Sequence, residues 1–322
     1  MLIYEKDNKL NINFNPSLLE VGGGNPDIQI GENEIKLGDT EITSENVLPT
    51  PTSEDVGKVV TVGKDGKFVL VNIEDILPVE IVPWATGTDA QIAKMIDALD
   101  SGRITIADTG WHVGDEREVS LAAMEATGVG ESHAAQNVTM VLMDSQHYDL
   151  VTATAGGSTK DHFVVGLKNC LNEPGYMNST ATNIGSWNAC ARRAWCNDVF
   201  RAAIPQTLRN CFKQFQVITA AAVDSTVNQT TNDYFALFAE KEVFGERTFS
   251  NETEAAALTQ IEYYETAANR IKTINGSADE WWERSPVPGF GGAGNFSVVG
   301  SAGDVGHGGA GGTLGLAPFG CI

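Results

Sequence analysis

Asp144, His147 and Asp149 fall within one short segment and combine carboxylates with an imidazole, the donor types of a metal site or of acid–base chemistry. Such a trio in a polar stretch is more often solvated surface, and no metal or other cofactor is expected here. Gly156-Gly157-Ser158-Thr159-Lys160 holds the parts of a phosphate loop but not the GxxxxGK[ST] order that lets backbone amides cradle a phosphate. Asp279 and Glu280 are paired carboxylates of the kind glycoside hydrolysis uses, yet no pattern sets them across a cleft. No GxSxG nucleophile elbow occurs. His112, His133, His162 and His307 are scattered without ligand spacing. The chain is therefore read as a protein that is not an enzyme.

Five cysteines, Cys170, Cys190, Cys196, Cys211 and Cys321, match no zinc ribbon or finger. Their number is odd, and the first residues show no basic leader followed by an apolar core. Folding in a cytoplasm disfavours disulfides, so the thiols are expected to be buried as small apolar side chains.

The elements that would position any site come from composition and periodicity. A chain of 322 residues exceeds one small core. The net charge of −21 makes a nucleic acid a poor partner, because phosphate binding needs clustered Lys and Arg. It suits a surface that must repel its own copies. No run of about 18 apolar residues is present, so no membrane insertion is expected.

Three zones follow. Residues 1–50 alternate apolar and polar residues at Lys9 to Phe14 and Ile28 to Ile42, with Gly22-Gly23-Gly24 between, and read as short strands. Such a segment has too small a core to stand alone and should assemble with copies of itself or dock on a larger body. Residues 51–80 contain a Pro-rich hinge and a hairpin, Lys58 to Val62 and Lys67 to Asn72, around Asp65-Gly66. Residues 81–322 form a larger α+β domain. Thr88 should cap a helix over Asp89 to Leu99, with Ile92, Met95, Ile96 and Leu99 on one face. Strands are expected at Val138 to Met143, His162 to Leu167, Val217 to Val223 and Tyr234 to Phe238. Helices are expected over Trp187 to Ile204, from Pro205 through Phe212, and over Ala255 to Ala268. Thirteen of the 34 glycines lie from Gly289 onward, too dense for a helix or an ordinary sheet interior. That region reads as glycine-rich loops bracketed by strands at Phe296 to Val299 and Leu314 to Ile322.

Several motifs occur in a fixed order: Trp111-x-Val113-Gly114-Asp115, Trp187 with the aromatic-rich stretch from Arg192 to Phe200, Asp233 to Gly245, Trp281-Trp282-x-Arg284-Ser285-Pro286, and the terminal Ala317-Pro318-Phe319-x-Cys321-Ile322. Together, over about residues 100–322, they resemble a domain with a WWxRSP…aPxxCI signature. That domain recurs at the C-termini of phage structural proteins and of Gram-positive surface proteins. It is similar to the C-type-lectin and formylglycine-generating-enzyme-like fold. The hairpin at 58–72 resembles a small module of phage fibre and tail proteins.

The resemblance implies a small β-rich N-terminal anchor followed by a C-type-lectin-like domain whose last strands and loops face solvent. Formylglycine-generating activity would need redox-active cysteines in the tail region, where only Cys321 lies. Trp111, Asp115, Trp187, Trp281, Trp282, Arg284 and Pro318 are expected to be framework. Ligand contact is expected at Phe290, Asn295, Phe296, Asp304 and His307, in or beside the glycine-rich loops. The chain departs from the family at Glu283, where a large apolar residue is usual, and in loops richer in Gly and Ala than in aromatic or Asn residues. The implied function is a virion surface protein, made in the host cytoplasm. It would be anchored to other virion proteins through its N-terminal segment, assembled as a homotrimer, and would bind a host-surface glycan or protein. The alternative is a head fibre, decoration or collar protein with a purely structural role.

Overall fold

The computed structural model describes residues 78–130, 132–155, 157–287 and 294–322, together with seven strands of the N-terminal part. The chain divides into two compact units, Met1–Pro78 and Val79–Ile322.

The first unit is built from hairpins. Strands β1 (Leu2–Lys6) and β2 (Lys9–Asn13) pair antiparallel. Strands β3 (Ile28–Ile30), β4 (Ile35–Leu37) and β5 (Thr40–Glu41) form a three-stranded meander. Strands β6 (Lys58–Val62) and β7 (Phe68–Asn72) pair from Lys58↔Asn72 to Val62↔Phe68, the hairpin that Asp65-Gly66 predicts. The Pro-rich hinge lies outside the described residues.

The second unit is α+β. Helix α1 (Asp89–Asp100) starts where predicted: Thr88 accepts from the Gln91 amide and the Gln91 side chain accepts from the Thr88 amide, a reciprocal cap. Ile92, Met95, Ile96 and Leu99 form its buried face. Its central sheet has the order β13 (Phe235–Ala236), β19 (Phe319–Cys321), β10 (Phe163–Leu167), β9 (Gln136–Ser145) and β8 (Glu116–Leu121), antiparallel throughout. β8 alternates exposed and buried residues as a half-buried edge strand should, whereas β10 is buried at every position. Aromatic rings fill the core against the sheet. Phe319 stacks on Phe238 with centroids 4.0 Å apart, and Trp111 meets Trp84 and Phe163 at 5.4 Å. Among the described residues no helix is long and apolar enough to cross a membrane.

Three helical predictions need correction. The stretch Trp187 to Ile204 is broken, not continuous. A 3-10 turn (Trp187–Ala189) gives way to α2 (Ala191–Trp195), a π-helical turn (Cys196–Phe200) and α3 (Arg201–Ala203). The break is set by Cys190, which is extended, and by Asn178, whose side-chain oxygen accepts from the Ala191 amide. Beyond Pro205 the helix is a single turn, α4 (Gln206–Arg209). The helix expected over Ala255 to Ala268 is only α6 (Glu252–Ala256), followed by 3-10 turns at Glu262–Glu265 and Ala267–Arg270. Asn251 caps it early, accepting from the Thr253 and Glu254 amides, and the buried rings of Tyr263 and Tyr264 then fix the chain in tighter turns. The strand expected over Val217 to Val223 is β11 (Phe215–Ala220), which pairs with β12 (Asn228–Asp233), and β14 (Lys272–Ile274) pairs with β15 (Ser277–Asp279).

All five thiols are free and buried, as expected. Burial pushes the Cys170 thiol up to about 12 and that of Cys190 to about 11. A thiol-reactive dye at pH 8 should therefore label none of the five in the native chain and all of them after denaturation. Labelling of the native chain at the unfolded rate would show that the thiols are not enclosed.

Candidate functional site

The WWxRSP motif lies in β16 (Trp281–Val287), buried at every residue. Its outer residues pair with β17 (Asn295–Val299): Trp281↔Val299 and Trp282↔Val298 at one end, Pro286↔Phe296 and Val287↔Asn295 at the other. Between them β16 carries more residues than β17, so Glu283, Arg284 and Ser285 leave the ladder in a bulge. The Arg284 amide turns to the Phe238 carbonyl at 2.8 Å. Pro286 stands at the rim of the bulge, where the ladder is interrupted and a missing N–H is tolerated.

The bulge feeds a buried polar network. Arg284 is fully enclosed and grips Glu242 through both guanidinium tips, at 2.6 and 2.8 Å, and also donates to the carbonyls of Leu237 and Ile218. Burial alone would push the Glu242 carboxyl up, but the adjacent Arg284 charge overrides it and holds the group below its ordinary value. Glu242 also accepts from the Ala239 amide at the start of α5 (Glu240–Phe244). Ser285 accepts from the Glu240 amide and donates to Glu254 of α6, whose other oxygen takes the Ala220 amide of β11. Burial raises Glu254 to about 7. Glu283 differs. It is fully buried, both carboxyl oxygens lack a hydrogen-bond partner, and the Ser297 hydroxyl approaches without closing a bond. Burial, and then the Glu240 charge, hold its carboxyl well above the ordinary range.

The exposed site stands on this frame. β17 pairs with β18 (Val305–Gly309) in the register Ser297↔His307 and Asn295↔Gly309. Asn295 and His307 are thus diagonal neighbours on one face, and the Asn295 amide nitrogen lies 3.3 Å from the His307 Nδ1. The ring of Phe249 stands edge-on to His307, centroids 5.0 Å apart. Glu240 fixes Phe249 from below by accepting from the Phe249 amide at 3.0 Å and the Ser250 amide at 2.7 Å. An imidazole, a carboxamide and an aromatic edge are thus brought together at the surface. The set can hydrogen-bond and pack against a polar ligand.

Of the expected contact residues, the structure brings Asn295 and His307 together. Asp304 is exposed but turns back over Gly300 in the tight turn before β18, where the Gly300 amide donates to the Asp304 carbonyl. Phe296 is a correction: its side chain is fully buried, like every residue of β17 after the half-buried Asn295. Phe290 lies outside the described residues. Phe249 and Asn183 were missed. Asn183 is buried and its amide donates to the carbonyls of Val287 at 3.4 Å and Asn295 at 2.8 Å, tying together the end of β16 and the start of β17.

Of the residues expected to be framework, all are buried except Asp115, which is half-buried. Trp111, Trp187, Trp281 and Trp282 are buried, and the Trp282 indole donates to the Gly175 carbonyl at 2.7 Å. Asp115 accepts from the His112 amide, and the Pro318 carbonyl accepts from Leu167. The glycine-rich segment expected to be loop contains a strand after all. β18 pairs along β17, and at Gly308 a side chain would meet the Trp282 ring at 3.0 Å. Glycine there lets the strand lie flat on the indole.

The other chemical candidates disperse. His147 pairs with Asp144 at 3.0 Å, whereas Asp149 pairs with Lys160 at 3.2 Å. Lys160 also donates to the His147 carbonyl. Among the described residues no group of three His, Cys, Asp or Glu side chains is arranged to hold a metal ion.

Residues 160–322, about half of the chain, match the model of a protein family described as a domain of unknown function, DUF6273. No curated protein and no solved structure matches the chain.

Proposed function

We propose that this chain, which belongs to the DUF6273 family, is a non-catalytic surface protein of a bacteriophage particle. In this reading its second unit has a C-type-lectin-like fold and contacts a glycan or protein of the host surface. The observation that carries the binding role is the Asn295–His307–Phe249 cluster, an exposed imidazole beside a half-buried carboxamide and a half-buried ring, on a fully buried frame. The order of the sequence motifs supports the phage assignment. The hairpins of the first unit are the attachment to other virion proteins, and a homotrimer would close their small core.

A second reading, a head fibre, decoration or collar protein, is favoured by one observation. Gly306, Gly308 and Gly309 leave β18 with few side chains to grip a ligand and with a backbone that another copy can approach closely.

Binding of the full-length chain to host cells or envelope fractions tests the first reading. His307→Ala with Asn295→Ala is expected to weaken binding about tenfold, the loss of one or two hydrogen bonds, with the melting temperature unchanged. Absence of binding by the unmodified chain, together with a particle map burying residues 295–309 between copies, would replace the adhesin by the structural role.

A further inference from the structure

A second concavity lies in the same unit and shares no residue with the β17–β18 face. Its volume is ≈ 490 Å³, within the range of about 300–1,000 Å³ typical of small-molecule sites. The end of α1 forms one wall through Asp97 and Asp100, the loop Thr152–Ala155 forms the rim, and Lys213, Gln214 and Tyr234 form the other side.

The walls are fixed by backbone hydrogen bonds. The Val151 amide donates to the Gln214 carbonyl at 2.9 Å and the Ala155 amide to the Asp100 carbonyl at 2.7 Å, so the rim loop is fastened to both walls. Asp100 and Lys213 form an ion pair across the floor, which neutralises one of the two carboxylates. The Lys213 amide is in turn held by the Cys321 carbonyl of β19 at 2.8 Å. Such a cleft needs little ordering when a ligand enters.

The polar groups left over define what would fit. Among the described residues the side chains of Asp97, Thr152 and Gln214 make no hydrogen bond or ion pair, and all three are exposed. They offer a carboxylate, a hydroxyl and a carboxamide, donors and acceptors in alternation. Tyr234 adds a half-buried ring whose other neighbour is the Arg201 guanidinium, 3.7 Å from the centroid. A stacked ring beside several unspent polar groups is the chemistry that recognises a polyhydroxylated ring. The uncompensated carboxylate of Asp97 adds a preference for a positive charge. The neighbouring Cys211 thiol senses this field: burial, then Asp97, push it up to about 12.

We infer that the Asp97–Thr152–Tyr234 cleft binds an amine-bearing saccharide of about two rings, with Asp97 pairing the ammonium and Tyr234 lining the sugar face. This site is independent of whether the β17–β18 face binds a host surface.

The test is calorimetric titration of the full-length chain with a β-1,4-linked glucosamine disaccharide and, separately, with its N,N′-diacetyl form. Saturable binding is expected for the free amine, about tenfold tighter than for the acetylated sugar. Asp97→Asn should erase that difference by weakening only the amine. Thr152→Trp, at an exposed loop position, should block both sugars with an unchanged melting temperature. The inference is overturned if neither sugar saturates up to about 10 mM. It is equally overturned if the preference for the amine survives Asp97→Asn, or if binding survives Thr152→Trp.

Discussion

Arg284→Met is expected to destabilise the Val79–Ile322 unit by about 3–5 kcal/mol, the range for removing one partner of a buried ion pair. The guanidinium neutralises Glu242, whose side chain is fully enclosed, and it satisfies the carbonyls of Leu237 and Ile218. Without it the Glu242 carboxylate stays buried, with the Ala239 amide and the neighbouring Tyr148 hydroxyl in place of a counter-charge. The double variant Arg284→Met with Glu242→Met should recover most of the loss, because an apolar pair of similar volume removes both desolvation penalties. Urea unfolding at pH 7 measures all three chains. The penalty of the single variant should shrink in acid. Arg284 holds the folded Glu242 below its unfolded value, so its contribution is present above about pH 4.5 and fades as pH falls through the folded value. A single-variant loss under about 1 kcal/mol would mean that the pair contributes little to the fold.

Glu283→Met should have the opposite sign, a stabilisation of about 1–3 kcal/mol at pH 7, the usual penalty of a buried polar group without partners. Burial raises the folded carboxyl above its unfolded value of 4.5, so the folded state binds this proton more tightly than the unfolded chain. The stability that comes from protonation is complete below about pH 4.5 and is lost as pH rises toward the folded value. Glu254 adds a loss of the same sign between 4.5 and about 7. The gap between variant and parent should therefore widen with pH, and Glu254 should leave its own slope in both chains. A constant gap from pH 4 to pH 8 would show that Glu283 does not titrate differently in the two states.

Periodicity made the regular parts of this molecule legible. The cap and apolar stripe of α1, the apolar run of β9 and the Asp-Gly pair between the strands β6 and β7 are local signals, and each of these elements formed where its signal lies. The Trp281-Trp282-x-Arg284-Ser285-Pro286 motif also announced a framework. Its mechanism was not readable, because the bulge depends on pairing with β17, and the partners Glu242, Glu254 and Phe238 are remote in sequence. The same limit explains Phe249, which reaches His307 only because Glu240 holds its backbone. The stretch Trp187 to Ile204 misled for a related reason. Its helical spacing is real, but Asn178 captures the Ala191 amide from outside, and Asn197, within the stretch, donates to the Arg193 carbonyl while accepting from the remote Tyr234 amide. β18 was hidden by composition, since glycines chosen to lie on Trp282 look like loop.

The placement of β19 in the interior of the central sheet bears on the order of events during synthesis. Val164 pairs with Cys321, so two neighbouring strands are separated by about 150 residues of chain. Until those residues have left the ribosome, β10 presents an unpaired edge on a strand that is apolar at nearly every position. The sheet cannot be completed until β19 has emerged, and the nascent chain carries this adhesive edge while the intervening residues are made. At roughly 5–20 residues per second that interval is on the order of ten seconds or more, long enough for neighbouring chains on one messenger to meet.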